Sequence, residues 1–191
     1  MLRFLALIQI SAAYVLFPGW EAITKPDTIH MLLSPEFTRS EGSIIASAAA
    51  AWNRALGSDA IHLYWSTQKL ERDQDGINVI YKSKRTGGDT THYAALTTEG
   101  VVLFDSDVRL STALEGGSLY NVALHEFGHV LGLLHSTEPG SIMAFTLQLG
   151  YDGYPVPAKR EELGRDDIAG AIAAGWGEST PRPRDSPVAV P

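Results

Sequence analysis

The chain has 191 residues, a length typical of one domain with modest appendages. Apolar residues make up 45% and charged residues 19%, which indicates a globular fold and excludes a largely disordered chain. The formal charge of −7, from 15 Lys and Arg against 22 Asp and Glu, argues against nucleic acid as a partner. With no cysteine in the chain, disulfides, zinc–thiolate sites, thiol catalysis and iron–sulfur clusters are excluded.

The first residues have the pattern of an export signal. Arg3 precedes an apolar stretch from Phe4 to Phe17, which Pro18-Gly19 ends. We therefore expect residues 1–22 to form a signal peptide or N-terminal leader of a secreted, extracellular or periplasmic protein. The stretch is shorter than the roughly 20 apolar residues that cross a bilayer, so no stable membrane span is expected. A membrane anchor and a buried first element of the fold are the alternatives.

Apolar periodicity and turn residues divide the rest of the chain into strands and helices. Strands are predicted over 28–33, 61–66, 77–82, 92–96 and 101–104, and helices over 40–56, 118–131 and 158–174. Residues 23–177 are thus expected to form one α+β domain with a twisted, mixed sheet of five strands, most of them parallel, and about three helices. Residues 178–191, which hold four of the ten prolines, are predicted to be a disordered tail.

Two local features of these elements are also predicted. Ser40 is expected to cap the first helix, and Gly57 to end it. The buried stripe of this helix is predicted to contain Ile44, Ala48, Trp52 and Leu56. The glycines in Gly87-Gly88-Asp89 predict a loop before the fourth strand.

One segment on the predicted second helix carries most of the chemical information. His125 and His129 are four residues apart, so their Cβ atoms lie roughly 6 Å apart on one helix face and both rings can reach one ion. Glu126 is better placed as a general base on a bound water than as a ligand. A positive φ at Gly132 would turn the chain so that His135 meets the same ion. Three neutral imidazoles with an open fourth position are typical of a catalytic zinc.

The run from His125 to His135 resembles the extended zinc motif of the metzincin metallopeptidases. Ser136, directly after the third histidine, resembles the residue that the matrixin subfamily has at that position. The resemblance implies a metzincin-like catalytic domain with zinc in its active-site cleft. It implies that Met143 belongs to a turn that forms an apolar floor under the histidines. It also implies that Asp166 and Asp167 brace that turn and can receive a free amino terminus. A solvated start of the last helix is the alternative for this acidic pair.

The sequence departs from the matrixin pattern at several points. Without cysteine a cysteine switch is impossible, and no loop for a second, structural zinc is visible between residues 82 and 91. His92 could correspond to one ligand of such a site, but Leu103 stands where another histidine is expected, so we expect a single zinc. Asp105 and Asp107 could hold calcium, although two carboxylates are weak support for an ion that takes six or more oxygens.

The residues and the resemblance together predict a zinc-dependent metalloendopeptidase, with Glu126 as the general base of a metal-activated water. The resemblance implies an extended peptide or protein substrate that pairs with the strand over 92–96. It also implies a side-chain pocket walled in part by residues 144–162. We expect a monomer. The alternatives are a non-catalytic zinc-binding interaction protein, which would not need Glu126, and a zinc amidohydrolase that acts on a non-peptide amide.

Residues 18–27 lie between the apolar leader and the first predicted strand and contain two carboxylates, Glu21 and Asp27. A carboxylate is a competent zinc ligand, so one of them could occupy the open fourth position and inhibit the site. A solvated linker is the alternative. If the segment inhibits, a chain that starts at Thr28 should be more active than one that starts at Tyr14.

Overall fold

A computed structural model describes residues 13–71, 76–96, 102–144 and 162–177 of the chain. The strands are β1 (Ile29–Leu33), β2 (Ile61–Trp65), β3 (Asn78–Ser83), β4 (Gly88–Leu96) and β5 (Val102–Ser111). The helices are α1 (Arg39–Leu56), α2 (Gly116–Val130) and α3 (Arg165–Ala173), and a short 3₁₀ helix over Trp20–Ala22 precedes β1. Residues 1–12 of the expected leader, the predicted tail and the first residues of the predicted last helix (158–161) lie outside the described residues. So does most of the predicted pocket wall.

The five strands form one mixed sheet in the order β2-β1-β3-β5-β4. All neighbouring pairs are parallel except β4 and β5, which are antiparallel. This arrangement confirms the predicted α+β class with a largely parallel, mixed sheet. It also leaves β4 at one edge of the sheet. Among the described residues, no helix combines the length and apolar character that a membrane crossing requires.

The start and the buried face of α1 differ slightly from the prediction. Thr38, not Ser40, caps the helix: its hydroxyl accepts the Glu41 N–H at 3.2 Å, while the Glu41 carboxylate accepts the Thr38 N–H at 2.7 Å. This reciprocal pair satisfies two of the N–H groups that a helix start leaves unpaired. The buried stripe contains Ile45, whereas Ile44 is only half-buried.

β4 and β5 are longer than the sequence predicts. β4 begins at Gly88 instead of residue 92, because residues 88–91 pair with residues 107–110 of β5. β5 continues past Phe104 through three polar residues, 105–107, and then through alternating apolar and polar residues. The apolar side chains of Val108 and Leu110 enter the core, and the polar ones are buried as well.

The buried polar residues of β5 bind the backbone of neighbouring segments. Asp105 accepts the N–H of Gly76 at 2.9 Å, and Asp107 accepts the N–H of Val79 at 3.0 Å. Arg109 donates to the carbonyl oxygen of Gly88 at 3.3 Å. The two carboxylates considered as calcium ligands therefore serve as backbone acceptors here.

Candidate metal centre

α2 is buried along most of its length, which fixes the face that carries its two histidines. α1 packs against it, and the indole N–H of Trp52 donates to the carbonyl oxygen of Leu124 at 2.9 Å. Trp52 is fully buried, so this contact anchors α2 one residue before His125. The histidines of α2 therefore stand on a rigid support.

The structure brings His125, His129 and His135 together. Their potential ligand nitrogens all lie within 4.8 Å of one another, and the ring centroids are 4.7, 5.0 and 5.3 Å apart. His125 is buried, His129 is half-buried and His135 is exposed. The cluster is small enough for one ion to be shared, and it opens to solvent on the side of His135.

Backbone carbonyls set the tautomers of the two helical histidines. Nδ1 of His125 lies 2.8 Å from the carbonyl oxygen of Ile142, and Nδ1 of His129 lies 2.7 Å from that of Leu133. Because a carbonyl oxygen only accepts, each Nδ1 carries the proton and each Nε2 keeps a free lone pair. Hydrogen bonds of this kind orient metal-binding histidines.

Burial lowers the pKa of all three imidazoles. Desolvation lowers the pKa of His125 to about 4. The hydrogen bond to Ile142 raises this pKa, and the neighbouring His135 lowers it further. Desolvation and then His125 hold the pKa of His129 well below its usual range, and burial also lowers the pKa of His135. Near neutral pH the three rings are therefore uncharged, the form that binds a metal ion.

Gly132 ends α2 and allows the turn that leads to His135. Its φ is 92°, which a residue with a side chain rarely adopts. The Gly132 N–H donates to the carbonyl oxygen of His129 at 2.8 Å, and the Leu133 N–H donates to that of Gly128 at 3.0 Å. A Cβ at position 132 would also overlap the Trp20 indole. Glycine is thus required both for the backbone conformation and for the space.

Residues 13–22, which the sequence assigned to the leader, pack against this turn. Leu16 forms an antiparallel bridge with Leu133, and the Phe17 N–H donates to the carbonyl oxygen of Gly132 at 2.8 Å. The segment therefore continues the domain on the N-terminal side and supports the chain between the second and third histidines.

Trp20 is the residue of the N-terminal segment that packs most closely against the turn at Gly132. Only 1% of its surface is exposed, and its indole N–H donates to the carbonyl oxygen of Ala174 at 3.0 Å. The group of potential metal-binding side chains found among the described residues contains neither Glu21 nor Asp27. Through Trp20 the segment has a structural role, and the inhibitory role of residues 18–27 stays a prediction.

Replacing Trp20 with alanine is expected to lower the free energy of unfolding by about 3–5 kcal/mol, because a buried indole is lost and a cavity is left. Urea unfolding measures this change. Trp65→Ala is the comparison, since Trp65 is 51% exposed although its ring packs against α1 at Gly42, and it should cost clearly less than Trp20→Ala. A chain that starts at Thr28 lacks Trp20 and should be less stable than one that starts at Tyr14. Equal losses for Trp20→Ala and Trp65→Ala would contradict this role.

Met143 lies directly beneath α2. It is 1% exposed, and a Cβ at Gly128 would overlap its sulfur atom. The Ser136 N–H donates to the Met143 carbonyl oxygen at 2.8 Å, which joins this turn to the residue after His135. Met143 is thus packed against α2 at Gly128, and the absence of a side chain at Gly128 permits this close approach.

The carboxylate of Asp167 holds the turn around Met143. It accepts the N–H groups of Ile142 at 2.8 Å and of Met143 at 3.2 Å, together with the Ser141 hydroxyl. Asp167 is 1% exposed, so these donors replace the water that a carboxylate otherwise binds. The Ile142 carbonyl that orients His125 belongs to the same turn.

Asp166 makes a different set of contacts. It accepts the Ser136 hydroxyl at 2.6 Å and the N–H groups of Ala13 and Tyr14, each at 3.1 Å. Asp166 therefore connects the N-terminal segment to the residue after His135. The two neighbouring acids of α3 have separate partners.

Glu126 lies beside the cluster and faces β4. Its side chain is buried, and Oε2 accepts the hydroxyl of Thr90 at 2.7 Å. Burial raises the pKa of Glu126 to about 8; the Thr90 hydrogen bond lowers it, Asp89 raises it and Arg109 lowers it. Its place next to His125 in the chain, and the lack of solvent around the carboxylate, suit a group that exchanges protons.

His92, considered above as a possible ligand of a second zinc, is part of the core. Its ring packs edge-on against Phe17 and Trp20, with centroids 5.1 and 5.6 Å away. Nδ1 lies 2.6 Å from the Ser106 hydroxyl, and the ring also bonds to the backbone of His129. Burial lowers the pKa of His92 to about 4, although the hydrogen bond to the backbone of His129 raises it. His92 therefore links β4 to α2.

A family model described as Matrixin matches residues 45–173, well over half of the chain, with the histidine cluster inside the match. The chain belongs to the matrixin family. This confirms the resemblance inferred from the sequence. The donor set fits zinc: three neutral imidazoles converge, and carbonyls fix two of them with Nε2 available.

Two curated relatives match most of this matrixin. Matrix metalloproteinase-20 of Homo sapiens is 30% identical over 174 residues, which cover 85% of this chain and 34% of the relative. Metalloendoproteinase 1 of Glycine max is 28% identical over 169 residues, which cover 80% of this chain and 51% of the relative. The chain thus spans about a third of the length of the first relative and about half of the second.

A solved structure, the ECX AB5 holotoxin in its GM1-bound form, aligns with this matrixin at a TM-score of 0.51 and 15% identity. The alignment covers 87% of this chain and 86% of that chain. At this identity the likeness concerns the fold alone.

Sequence reasoning did not identify several residues around the centre. Trp20 contacts the turn at Gly132, and Thr90 contacts Glu126, but neither residue belongs to a pattern that the sequence displays. Gly128, which contacts Met143, lies inside the histidine motif, but the sequence assigned it no role. His30 and His62 lie exposed on β1 and β2. A small residue between the two helical histidines was the one local signal that could have indicated the position of Met143.

Proposed function

We propose that this matrixin is a zinc-dependent endopeptidase in which His125, His129 and His135 hold the metal and Glu126 is the general base. One observation carries the proposal: three uncharged imidazoles converge, and the helix that carries two of them also carries a buried carboxylate. A zinc ion held there would supply a Lewis acid that polarises the scissile carbonyl and lowers the pKa of a water molecule. One zinc per chain is expected.

Glu126 performs the proton transfers in this proposal. Its carboxylate removes a proton from the attacking water and then delivers that proton to the leaving amine, so that one group serves both halves of the reaction. Burial favours this exchange, because a carboxylate without surrounding water binds a proton more readily. An interaction protein would have no use for a buried carboxylate at this position.

Three further residues support the ligands in this proposal. Gly132 makes the turn that presents His135, Met143 provides the floor under the first two histidines, and Asp167 holds the turn to which Met143 belongs. Their contacts described above support these roles. None of the three reaches the reacting atoms.

The proposed substrate is an extended peptide or protein that pairs with the free edge of β4. The edge position of β4 in the sheet supports this, because an edge strand offers unpaired backbone N–H and C=O groups. Such pairing is largely independent of sequence, so side-chain selectivity would come from the pocket walled by residues 144–162. Of that wall, only Ala144 and Glu162 are among the described residues.

We also propose that the protein is secreted, acts as a monomer and takes no nucleic acid as a partner. The contacts of Asp166 are compatible with removal of a leader after Ala13, since the nitrogen of Tyr14 would then be a charged amino terminus 3.1 Å from the Asp166 carboxylate.

Calcium has no complete ligand set among the described residues of β5, where Asp105 and Asp107 accept backbone N–H groups.

Cleavage of a mixed peptide library tests the proposed function. The zinc-loaded protein should cleave internal peptide bonds, and a chelator should abolish the cleavage. Fragments are detected by mass spectrometry, and restored activity after zinc is added back is the control. Intact peptides with tightly bound zinc would favour an interaction protein, whereas hydrolysis of non-peptide amides alone would favour the amidohydrolase.

A further inference from the structure

The side of β4 that faces α2 contacts the carboxylate of Glu126. The Thr90 hydroxyl lies 2.7 Å from Oε2 of Glu126 and 3.2 Å from its backbone carbonyl oxygen. A threonine hydroxyl carries one proton, so the shorter contact, to the carboxylate, is the stronger hydrogen bond. Two residues earlier, a Cβ at Gly88 would overlap Oε1 of Glu126 and lie 2.6 Å from Cγ1 of Val122. β4 therefore contacts one carboxylate oxygen and leaves space for the other.

We propose that Thr90 is a positioning residue that fixes the carboxylate of Glu126 for proton transfer, an inference that rests on the proposed function. A glutamate side chain has several rotatable bonds, and its attachment to α2 does not by itself select one rotamer. The Thr90 hydroxyl holds Oε2, so Oε1 is the oxygen that accepts and returns the proton. Gly88 contributes by leaving Oε1 its space.

A second layer of contacts holds β4 in place. Arg109 is 7% exposed and donates to the carbonyl oxygens of Arg85 at 3.1 Å and of Gly88 at 3.3 Å. These bonds tie the loop before β4 and the first residue of β4 to β5. The position of the Thr90 hydroxyl is thus set by the sheet and not by a loose edge strand.

Steady-state kinetics on a single peptide that the wild-type protein cleaves tests this role. Thr90→Val keeps the shape but removes the hydroxyl, and it should lower kcat about 10- to 100-fold while KM changes less than about threefold. Thr90→Ser restores the hydroxyl and should return kcat to within about threefold of wild type. Zinc content should stay equal in all variants. Thr112→Val, at an exposed threonine after β5, is the matched control and should leave kcat and KM unchanged.

A double-mutant cycle on the metal-free protein measures the contact without any activity. Thr90→Val, Glu126→Ala and the double variant are unfolded in urea. The two substitutions should be non-additive, by about tenfold in the unfolding equilibrium constant. Additive effects, or wild-type kcat in Thr90→Val, would overturn the role of Thr90 alone. A wild-type protein that cleaves no peptide would overturn the proposed function and this inference with it, even if the cycle showed the contact.

Discussion

Glu126→Ala is expected to keep about one equivalent of zinc and to lower peptide turnover by about 10²–10⁴-fold or more, because the carboxylate moves protons and does not ligate. Elemental analysis after dialysis gives the zinc content, and initial rates on a peptide substrate give the turnover. The loss should appear in kcat, since the water must be deprotonated after the substrate is bound.

Glu115→Ala is the matched control for this experiment. Glu115 precedes α2, is exposed and makes no side-chain hydrogen bond to the helix start, so its loss should leave both zinc content and turnover unchanged. If Glu126→Ala retained about a third of wild-type turnover, well outside the range of general-base losses, the assignment of Glu126 would be wrong.

His129→Ala is expected to reduce bound zinc below about half an equivalent and to abolish peptide cleavage, since two imidazoles do not complete a catalytic zinc site. The variant should also lose the thermal stabilisation that zinc gives the wild-type protein, because metal binding contributes directly to the stability of the folded state. Elemental analysis and thermal unfolding with and without zinc measure the two effects.

His30→Ala supplies the comparison, because His30 lies exposed on β1, outside the histidine cluster. It should bind zinc as the wild-type protein does. Full zinc occupancy in His129→Ala would show that the ion is held elsewhere. Less than half an equivalent in the wild-type protein would contradict the metal site itself.

The sequence was sufficient where the relevant contacts are local. The spacing of His125 and His129 predicts their shared face because both lie on one helix, and Gly132 predicts the turn because its φ of 92° is a property of one residue. The α+β class followed from apolar periodicity, which each element shows by itself. These predictions needed no knowledge of how distant segments pack.

The remaining contacts depend on residues that are far apart in the chain. Thr90 and Glu126 are separated by 36 residues, and Trp20 and Ala174 by 154, so no periodicity could pair them. The second half of β5 was missed for a related reason. Asp105 and Asp107 indicate solvent exposure by their polarity, yet they are buried because other segments bring them backbone N–H groups.

The contact between Trp20 and Ala174 also affects the timing of assembly during biosynthesis. The indole that lies against Gly132 is translated before its acceptor, which follows 154 residues later, after all three histidines. At about 5–20 residues per second, roughly 8–30 s separate the two. A nascent chain therefore contains every metal ligand before it contains the residue that completes the support beneath them.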